Sequence, residues 1–346
     1  MKDFEAEERV KTHMLYRHVG KCGLQVSEVG LGTMTFGAQV SEKNAFLMMD
    51  QAFFSGVNLF DCADIYPLNG GIEKAGITEK IVGKWMKTKK RDEIIVTSKC
   101  FAKVQDHVNG LGLSRAHILS AINQSLKNLQ TDYVDIYMAH SFDETVPLEE
   151  TLRAFEDIVS QGKVRYIGVS NWSSWQMEKA LRIAETKNYL PVCADELRYN
   201  ILFRRPETEI MPMLQSEGLG AFSYNPLAGG LLTGRYSFHK MPDGNDRFNV
   251  DVGGPLYHVR YWNEQCFSAV EKYLGLCKQW ELDPVQAAIK WVLSKPGISS
   301  VLLGASNPEQ LTGTLCAPNL LLSDEQVNMF DELWYLLPRY KQEPVH

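Results

Sequence analysis

The stretch NLFDCADIY, residues 58–66, decides the fold class of this chain. Its first half is a short apolar run, which is typical of a buried strand. The run ends at Asp61, and Tyr66 follows in what we expect to be a loop. After a stretch with helical periodicity, a second apolar run, IIVTSK at residues 94–99, ends in the same way at Lys99. Strand, loop, helix and strand in this order indicate a βα unit of a parallel sheet.

The same unit recurs along the whole chain. Eight strand candidates, each followed by an amphipathic stretch, lie at residues 28–33, 58–63, 94–99, 134–140, 166–170, 192–196, 221–225 and 300–304. Eight βα units predict an α/β fold, a closed (β/α)8 or TIM barrel. LYRHVG and KCGLQV, residues 15–26, predict an N-terminal β-hairpin that plugs the bottom of the barrel, and a stretch from 263 to 280 predicts one of the extra C-terminal helices.

Helix starts and long loops can be placed as well. Predicted N-caps are Ser41, Thr78, Ser114, Ser173 and Asp283. Gly56 and Gly162 are expected to end two of the helices. Residues 235–260 form a long loop rich in Gly, Pro, Asp and aromatic residues, of the kind that covers a site or is mobile. We find no linker, so one domain over residues 1–346 is preferred, with residues 1–13 as a flexible extension.

The amino-acid composition disfavours several classes of function. The chain has 346 residues, 45% hydrophobic and 23% charged, with a formal net charge of -6. These values fit a globular protein and disfavour nucleic-acid binding, which needs a basic surface. Seven scattered cysteines without a C-x-x-C pair predict reduced thiols and no metal site. The N-terminus lacks an apolar signal core, and no stretch is long enough to span a bilayer, so we expect a cytoplasmic protein without membrane insertion.

A doubly wound open sheet is the alternative architecture. That fold predicts a G-x-G-x-x-G turn after its first strand. The glycines around the first strand candidate lie at positions 30, 32 and 37, a spacing that does not match. The barrel is therefore favoured.

Ionisable residues end three consecutive strands of the predicted barrel. Asp61, Lys99 and His140 each follow an apolar run, and Tyr66 lies just beyond Asp61. In a β/α barrel these strand ends meet at the face where catalysis occurs. Each residue alone has an ordinary structural interpretation, but together they suit proton delivery to a carbonyl oxygen. We expect Lys99, kept cationic by Asp61, to lower the pKa of the Tyr66 phenol, and His140 to orient the substrate oxygen or relay the proton.

A capped helix start in GASNPEQ is a candidate anion site. Asn307 is a predicted N-cap, Pro308 suits the first helical position, and Gln310 stands where a capping box places Glu or Gln. Gly304 and Ser306 are expected to leave backbone N–H groups and a hydroxyl free for a phosphate. The alternative is a capped helix with no ligand.

The segment AFSYNPLAGGLLTGRY after the seventh strand is a second candidate ligand site. Tyr224 could lie against a ring, and the glycines would let backbone approach a ligand closely. Candidate contacts from this segment and the long loop are Asn225, Pro226, Leu227, Gly229, Arg235 and Arg247. The alternative is a glycine-rich turn with surface arginines.

Together these segments resemble the aldo-keto reductases over nearly the whole chain, from GLGTMTFG to LLGASNPEQL. The resemblance implies a catalytic tetrad of Asp61, Tyr66, Lys99 and His140. YIGVSNW is similar to the segment whose Ser and Asn hold the nicotinamide carboxamide, and SYNPLAGG to the segment that stacks on nicotinamide. The implied contacts are Ser170 and Asn171 with the carboxamide, Tyr224 with the ring, and the segment around Gly304, Ser306 and Gln310 with the 2′-phosphate of NADPH or NADP+.

The GTMTFG sequence resembles one branch of that family, which contains bacterial reductases and the β subunits of potassium channels. The resemblance implies that Thr33, Met34 and Gln39 also line the cofactor. The channel subunits lack the tetrad histidine, whereas His140 is present here. Glu196 stands where the family usually has glutamine beneath the carboxamide; a carboxylate accepts a hydrogen bond but cannot donate one.

The leading hypothesis is an NADPH-dependent enzyme that reduces an aldehyde or ketone, with Tyr66 as general acid. A predicted apolar substrate pocket comprises Met34, Phe36, Phe101, Phe142 and Trp172. One alternative is an NADP(H)-binding, redox-sensing subunit of a membrane channel. Another is a barrel lyase with a Schiff base on the lysine that ends the third strand. The sequence leaves the physiological substrate and a homo-oligomer open.

Overall fold

The computed structural model describes residues 14–68, 71–242, 246–249 and 254–337, so the predicted extension at residues 1–13 lies outside the described residues. The strands are β1 Tyr16–His18, β2 Gln25–Ser27, β3 Val29–Gly32, β4 Leu59–Asp61, β5 Ile95–Cys100, β6 Val134–Ala139, β7 Val164–Ser170, β8 Val192–Arg198, β9 Gly220–Tyr224 and β10 Ile298–Leu303. Strands β1 and β2 form an antiparallel hairpin. Strands β3 to β10 are parallel and close into a barrel in chain order.

The barrel closes where the last strand pairs with the first, since Leu303 of β10 lies beside Leu31 of β3. Each predicted strand agrees with an observed one to within two residues at either end. The predicted (β/α)8 barrel with an N-terminal hairpin is thus confirmed. All carboxyl ends of the barrel strands lie at one face, which we call the top.

Helices surround the barrel. Their bounds are α1 Glu42–Phe54, α2 Ile77–Met86, α3 Arg115–Leu129, α4 Leu148–Ser160, α5 Ser174–Lys187, α6 Ile210–Glu217, α7 Gly254–Tyr261, α8 Glu264–Gln279, α9 Pro284–Leu293, α10 Pro308–Leu315 and α11 Asp324–Glu332. Side chains of the predicted N-caps accept from a backbone N–H of the first turn at Ser41, Ser114, Asp283 and Asn307. At Ser173 the Gln176 side chain accepts from the backbone N–H over 2.9 Å, as in a capping box. These local signals act as the sequence predicts.

Thr78 is not the N-cap of α2, and that prediction is wrong. The helix begins at Ile77, after Gly76 in the left-handed region at φ 79°. Thr78 is buried in the first turn, where its hydroxyl donates to the carbonyl oxygen of Phe36 over 2.8 Å. The polar side chain therefore ties α2 to the loop after β3.

The N-terminal hairpin closes the bottom of the barrel. Val19 and Val26 are fully buried in one cluster with Leu59, Ile136 and Phe222 of the barrel strands. Burial of a valine side chain contributes about 1.5–3 kcal/mol, so the hairpin adds to the stability of the closed barrel. The predicted plug is present.

The long loop at residues 235–260 is partly helical, because α7 occupies its last part. Phe248 is buried, with its ring 5.1 Å from that of Tyr236 and 4.9 Å from that of Trp262. This aromatic cluster anchors the described part of the loop to the barrel. Among the helices that the structure describes, none combines the length and apolar character needed to cross a bilayer.

Candidate functional site

A fully buried lysine lies at the centre of the top face. Lys99, at the end of β5, donates to Asp61 Oδ1 over 2.5 Å and to the carbonyl oxygen of Cys62 over 3.1 Å. Its Nζ also lies 3.1 Å from Glu196 Oε2. Two carboxylates from different strands thus share one ammonium group.

The charged groups in this cluster shift one another's pKa values. Burial lowers the pKa of Lys99, but Asp61 and Glu196 outweigh that effect, and the net pKa lies well above its usual value. Lys99 is therefore cationic at physiological pH. Burial, and then the charge of Asp61, raise the pKa of Glu196 to about 8 in spite of the lysine. Glu196 therefore holds a proton more readily than an ordinary carboxyl group.

Tyr66 lies against this cluster. It is 6% exposed, and Lys99 Nζ is 5.3 Å from the centre of its ring. We expected the lysine to lower the pKa of this phenol. Lys99 does act in that direction, but burial is the larger effect, and the net pKa is raised above its usual value. The expectation is corrected, because burial, together with the charges of Asp61 and Glu196, outweighs the lysine.

His140 completes the tetrad at the end of β6. Its ring centre lies 5.9 Å from that of Tyr66, with the two planes at 78°. Surrounding protein atoms, and then the charge of Lys99, lower the pKa of His140 to about 3. The imidazole is therefore neutral at physiological pH, and it can donate one hydrogen bond and accept another.

A hydrogen-bonded network continues from Glu196 along the top face. Ser170 Oγ donates to the carbonyl oxygen of Glu196 over 2.9 Å, and Asn171 Nδ2 donates to Ser170 Oγ over the same distance. Asn171 has a left-handed φ of 60°. Its Oδ1 accepts from the Tyr224 hydroxyl over 2.8 Å, which holds the half-buried tyrosine ring beside the tetrad. Four of the predicted nicotinamide contacts are therefore brought together.

These residues fit a nicotinamide. Glu196 Oε2 is buried and forms no hydrogen bond apart from its ion pair with Lys99. A carboxyl oxygen can accept more than one hydrogen bond, and a carboxamide N–H would supply a further one. The ring of Tyr224 presents a flat apolar surface beside it.

The segment after β9 bends sharply over the top face. Gly229 and Gly230 both have left-handed φ values, 71° and 97°, which side-chain-bearing residues rarely adopt. The Gly229 N–H donates to Asn225 Oδ1 over 2.6 Å, so this donor is already used. Pro226 is buried and Leu227 is half-buried within the same turn.

The two predicted phosphate-binding arginines have partners in the protein. Arg235 pairs with Asp246 at 3.2 Å and stacks on Tyr236. Arg247 lies 5.5 Å from the ring centre of Tyr257. A phosphate would therefore have to compete with these contacts for Arg235.

The helix start at α10 also uses its own donors. Asn307 Oδ1 accepts from the Gln310 N–H over 2.9 Å, as the sequence predicts. Gln310 Oε1 accepts from the Ser306 N–H over 3.0 Å. The expectation that the Ser306 amide is free is wrong, because the Gln310 side chain folds back onto it. Gly304 and Ser306 are exposed.

Comparison with known proteins agrees with this geometry. The model of the aldo/keto reductase family matches residues 28–335. The chain belongs to the aldo/keto reductase family of oxidoreductases. It is 34% identical over 327 residues to an uncharacterized oxidoreductase, YrpG, of Bacillus subtilis strain 168, which covers 93% of this chain and 96% of the relative. It is also 34% identical over 336 residues to protein tas of Escherichia coli K12, which covers 90% of this chain and 95% of the relative.

In this aldo/keto reductase the loop after β3, which carries three predicted cofactor contacts, is bonded to the end of β4. Thr33 is fully buried, and its hydroxyl donates to the carbonyl oxygen of Asp61 over 2.6 Å. That contact ties the loop after β3 to the backbone of Asp61. Met34 and Gln39 are half-buried on the same loop.

The predicted apolar pocket is only partly formed. Met34, Phe101 and Phe142 are half-buried, whereas Phe36 and Trp172 are fully buried in the hydrophobic core. Those two were wrongly assigned to the pocket wall. Phe142 instead lies between Trp172 and the exposed Trp175, at ring distances of 4.9 and 5.8 Å.

Two supporting residues of the reductase site were not predicted. Thr97 Oγ1 donates to Asp61 Oδ1 over 2.5 Å. Because side chains of a strand alternate between faces, Thr97 shares the inner face with Lys99, and this spacing could have revealed it. Buried Asp195 lies beside the backbone of Asn171 and Trp172 in the loop after β7, and burial raises the pKa of its carboxyl well above the usual value. In the part of the chain that the structure describes, no group of three or more His, Cys, Asp or Glu could bind a metal.

Proposed function

We propose that this chain reduces an aldehyde or ketone to an alcohol with NADPH, and that Tyr66 donates the proton. The proposal rests above all on the buried phenol that lies 5.3 Å from a buried ammonium and 5.9 Å from a neutral imidazole. A phenol with a raised pKa keeps its proton until a strong base develops beside it. The alkoxide formed in carbonyl reduction is such a base.

Each tetrad residue has a distinct role in this proposal. When bound, the nicotinamide supplies a hydride to the carbonyl carbon. Tyr66 donates its hydroxyl proton to the carbonyl oxygen, and the Lys99 ammonium stabilises the tyrosinate that remains. Neutral His140 donates a hydrogen bond that orients the same oxygen. Asp61 holds the ammonium in place at 2.5 Å.

The cofactor contacts are proposed from the observed network. Asn171 and Ser170 would bind the carboxamide, Tyr224 would stack on the ring, and Glu196 would accept from the carboxamide NH2. A preference for NADPH over NADH rests on the N-terminus of α10, where helix polarity favours a 2′-phosphate once Gln310 releases Ser306. We propose that the chain acts as one domain in the cytoplasm, where its seven free thiols would remain reduced.

The other two hypotheses make different demands on the site. A Schiff-base lyase needs a neutral lysine amine, yet the pKa of Lys99 is raised well above its usual value by two carboxylates. This argues against a lyase. A redox-sensing channel subunit would use the same cofactor contacts but would turn over slowly and form a stable complex with a partner.

Purified protein should therefore oxidise NADPH in the presence of aromatic and aliphatic aldehydes, followed by absorbance at 340 nm. Tyr66→Phe should lower kcat/KM by about 10²–10⁴-fold. Its affinity for NADPH, measured by protein fluorescence, should change by less than about twofold, because the hydroxyl does not contact the cofactor. Undiminished turnover in Tyr66→Phe would refute the role of the phenol. Tight NADPH binding without turnover of any carbonyl would favour the sensor instead.

A further inference from the structure

Two cysteine side chains meet at the bottom of the barrel, on the side opposite the tetrad. Cys22 lies in the turn between β1 and β2 and is half-buried. Cys193 is the second residue of β8 and is buried. Cys22 packs against the buried cluster that contains Cys193, and the two thiols are close enough to shift each other's pKa through a hydrogen bond. The contact therefore joins the hairpin to the barrel wall.

We propose that Cys22 and Cys193 form a site of reversible oxidation by hydroperoxides, in which a disulfide fastens the N-terminal hairpin to β8. This inference is independent of the proposed carbonyl reductase activity, because neither thiol belongs to the top face.

The surroundings of Cys22 favour a thiolate. The hydrogen bond from the Cys193 thiol lowers its pKa most, and the backbone N–H of Leu24 and the nearby His18 act in the same direction. Burial opposes them, but the net pKa is lowered to about 6. The same hydrogen bond, together with burial, raises the pKa of Cys193 well above its usual value. Cys22 is thus the nucleophile of the pair, and Cys193 keeps its proton.

A small oxidant can approach from the same face. A cavity of about 510 Å³ lies at the amino-terminal ends of β5, β6 and β7, and Leu24 and Tyr166 form part of its wall. Leu24, Tyr166 and Cys22 all pack against the same buried cluster, which contains Cys193. The cavity thus adjoins the cysteine pair.

The reaction is balanced with one hydroperoxide. The Cys22 thiolate attacks the terminal peroxide oxygen, an S–O bond forms, the O–O bond breaks, and the leaving oxygen takes a proton to give water or an alcohol. Cys193 then attacks the sulfur of the Cys22 sulfenic acid, an S–S bond forms, and hydroxide leaves and takes the proton from the Cys193 thiol to give water. The two thiols lose two electrons to the peroxide. A small dithiol reverses the reaction, as expected for a disulfide in a reducing compartment.

Cys316 provides a matched control. It is also half-buried, but its thiol donates to the carbonyl oxygen of Thr312 over 3.5 Å. Iodoacetamide at pH 7 should label Cys22 at least about tenfold faster than Cys316, because the thiolate is the nucleophile. Equal labelling rates would contradict the proposal.

The decisive experiment treats the full chain with a small excess of hydrogen peroxide and maps its peptides by mass spectrometry. We expect one disulfide between Cys22 and Cys193, removed by a dithiol and unaffected in Cys316→Ser. Cys193→Ser should stop at a sulfenic acid on Cys22 that dimedone traps, and Cys22→Ser should leave Cys193 unmodified. A disulfide to another cysteine or between two chains would overturn the proposal. So would the absence of both the disulfide in the wild type and the dimedone adduct in Cys193→Ser.

Discussion

The two ends of the proposed cofactor site are built in opposite ways. At the tetrad end, carboxyl groups from two strands converge on one buried ammonium from a third, and Glu196 Oε2 is left with a hydrogen-bonding position open. At the adenosine end, Ser306 and Arg235 already have partners, the Gln310 side chain and Asp246. The chemistry is thus arranged in advance, whereas phosphate binding has to displace internal contacts.

This difference reflects the elements that position the two kinds of residue. Tetrad side chains stand on barrel strands whose register is fixed by pairing with both neighbours, such as Asp61 beside Thr97. The phosphate-binding candidates stand on exposed loops, where a side chain can fold back onto a nearby amide. The reacting centre is rigid, whereas the donors of the phosphate-binding loop are already bonded to side chains of the protein. Substitutions at the two ends should therefore have different effects.

Removal of the central charge should have the largest effect. Lys99→Met leaves Asp61 and Glu196 together without a cation, so we expect the free energy of unfolding to fall by about 3–5 kcal/mol and carbonyl reduction to fall by about 10²–10⁴-fold. Urea unfolding and the NADPH assay measure the two effects. In Lys99→Met with Glu196→Gln, stability should partly return while activity stays low. Stability unchanged in the single variant would show that the cluster is not coupled as described.

A single substitution at the adenosine end should increase the preference for NADPH. Gln310→Arg frees the Ser306 amide and adds a guanidinium for the 2′-phosphate, so the preference for NADPH over NADH should rise by about tenfold. Fluorescence titration with both cofactors checks this. Gln326→Arg is the matched control, since Gln326 holds the Ser323 N–H at the start of α11 in a similar way. An equal gain in both variants would point to net charge rather than to this loop.

The titration of Glu196 should appear in the choice between oxidised and reduced cofactor. Below pH 8 the side chain is mostly neutral, and above pH 8 it is an anion that attracts the positive ring of NADP+. Asp61, Lys99 and Tyr66 are the titratable groups that influence this pKa or face the same cluster. The ratio of NADP+ to NADPH affinity should therefore increase about fivefold between pH 6.5 and pH 9 in the wild type. Glu196→Gln should show no such rise; a parallel rise in both proteins would assign it to another group.

Removal of a helix cap should have the smallest effect on the protein. Asn307→Ala and Ser323→Ala each remove a side chain that accepts from the first turn of a helix, so each should lower the free energy of unfolding by about 1 kcal/mol. NADPH affinity should fall only in Asn307→Ala, because α10 alone is proposed to face the phosphate. Equal loss of affinity in the two variants would mean that the helix start has no specific role.

Much of this architecture follows from the sequence because it depends on local pattern. Alternation of apolar runs and helical stretches places every barrel strand, and short polar side chains mark most helix starts. Thr78 is an exception, because α2 begins directly after Gly76, which has a left-handed φ. The threonine side chain instead turns inward and bonds to Phe36.

The remaining errors concern contacts between distant parts of the chain. The raised pKa of Tyr66 depends on burial and on Glu196, which β8 brings to Lys99 across the barrel. The Gln310 side chain had two possible partners, a phosphate or the Ser306 amide, and spacing alone does not choose between them. Residue types identify the tetrad, but only the assembled neighbours set its electrostatics.

The closed bottom of the barrel has a consequence for the order of events during turnover. Among the described residues, Val19 and Val26 close the interior from below, so the tetrad is reached from the top face. Under the proposed function, the nicotinamide lies deepest, against Tyr224, and the carbonyl compound sits above it. Approach from the same face then requires the cofactor to enter first and to leave last, so product-inhibition kinetics should show the alcohol departing before the oxidised cofactor.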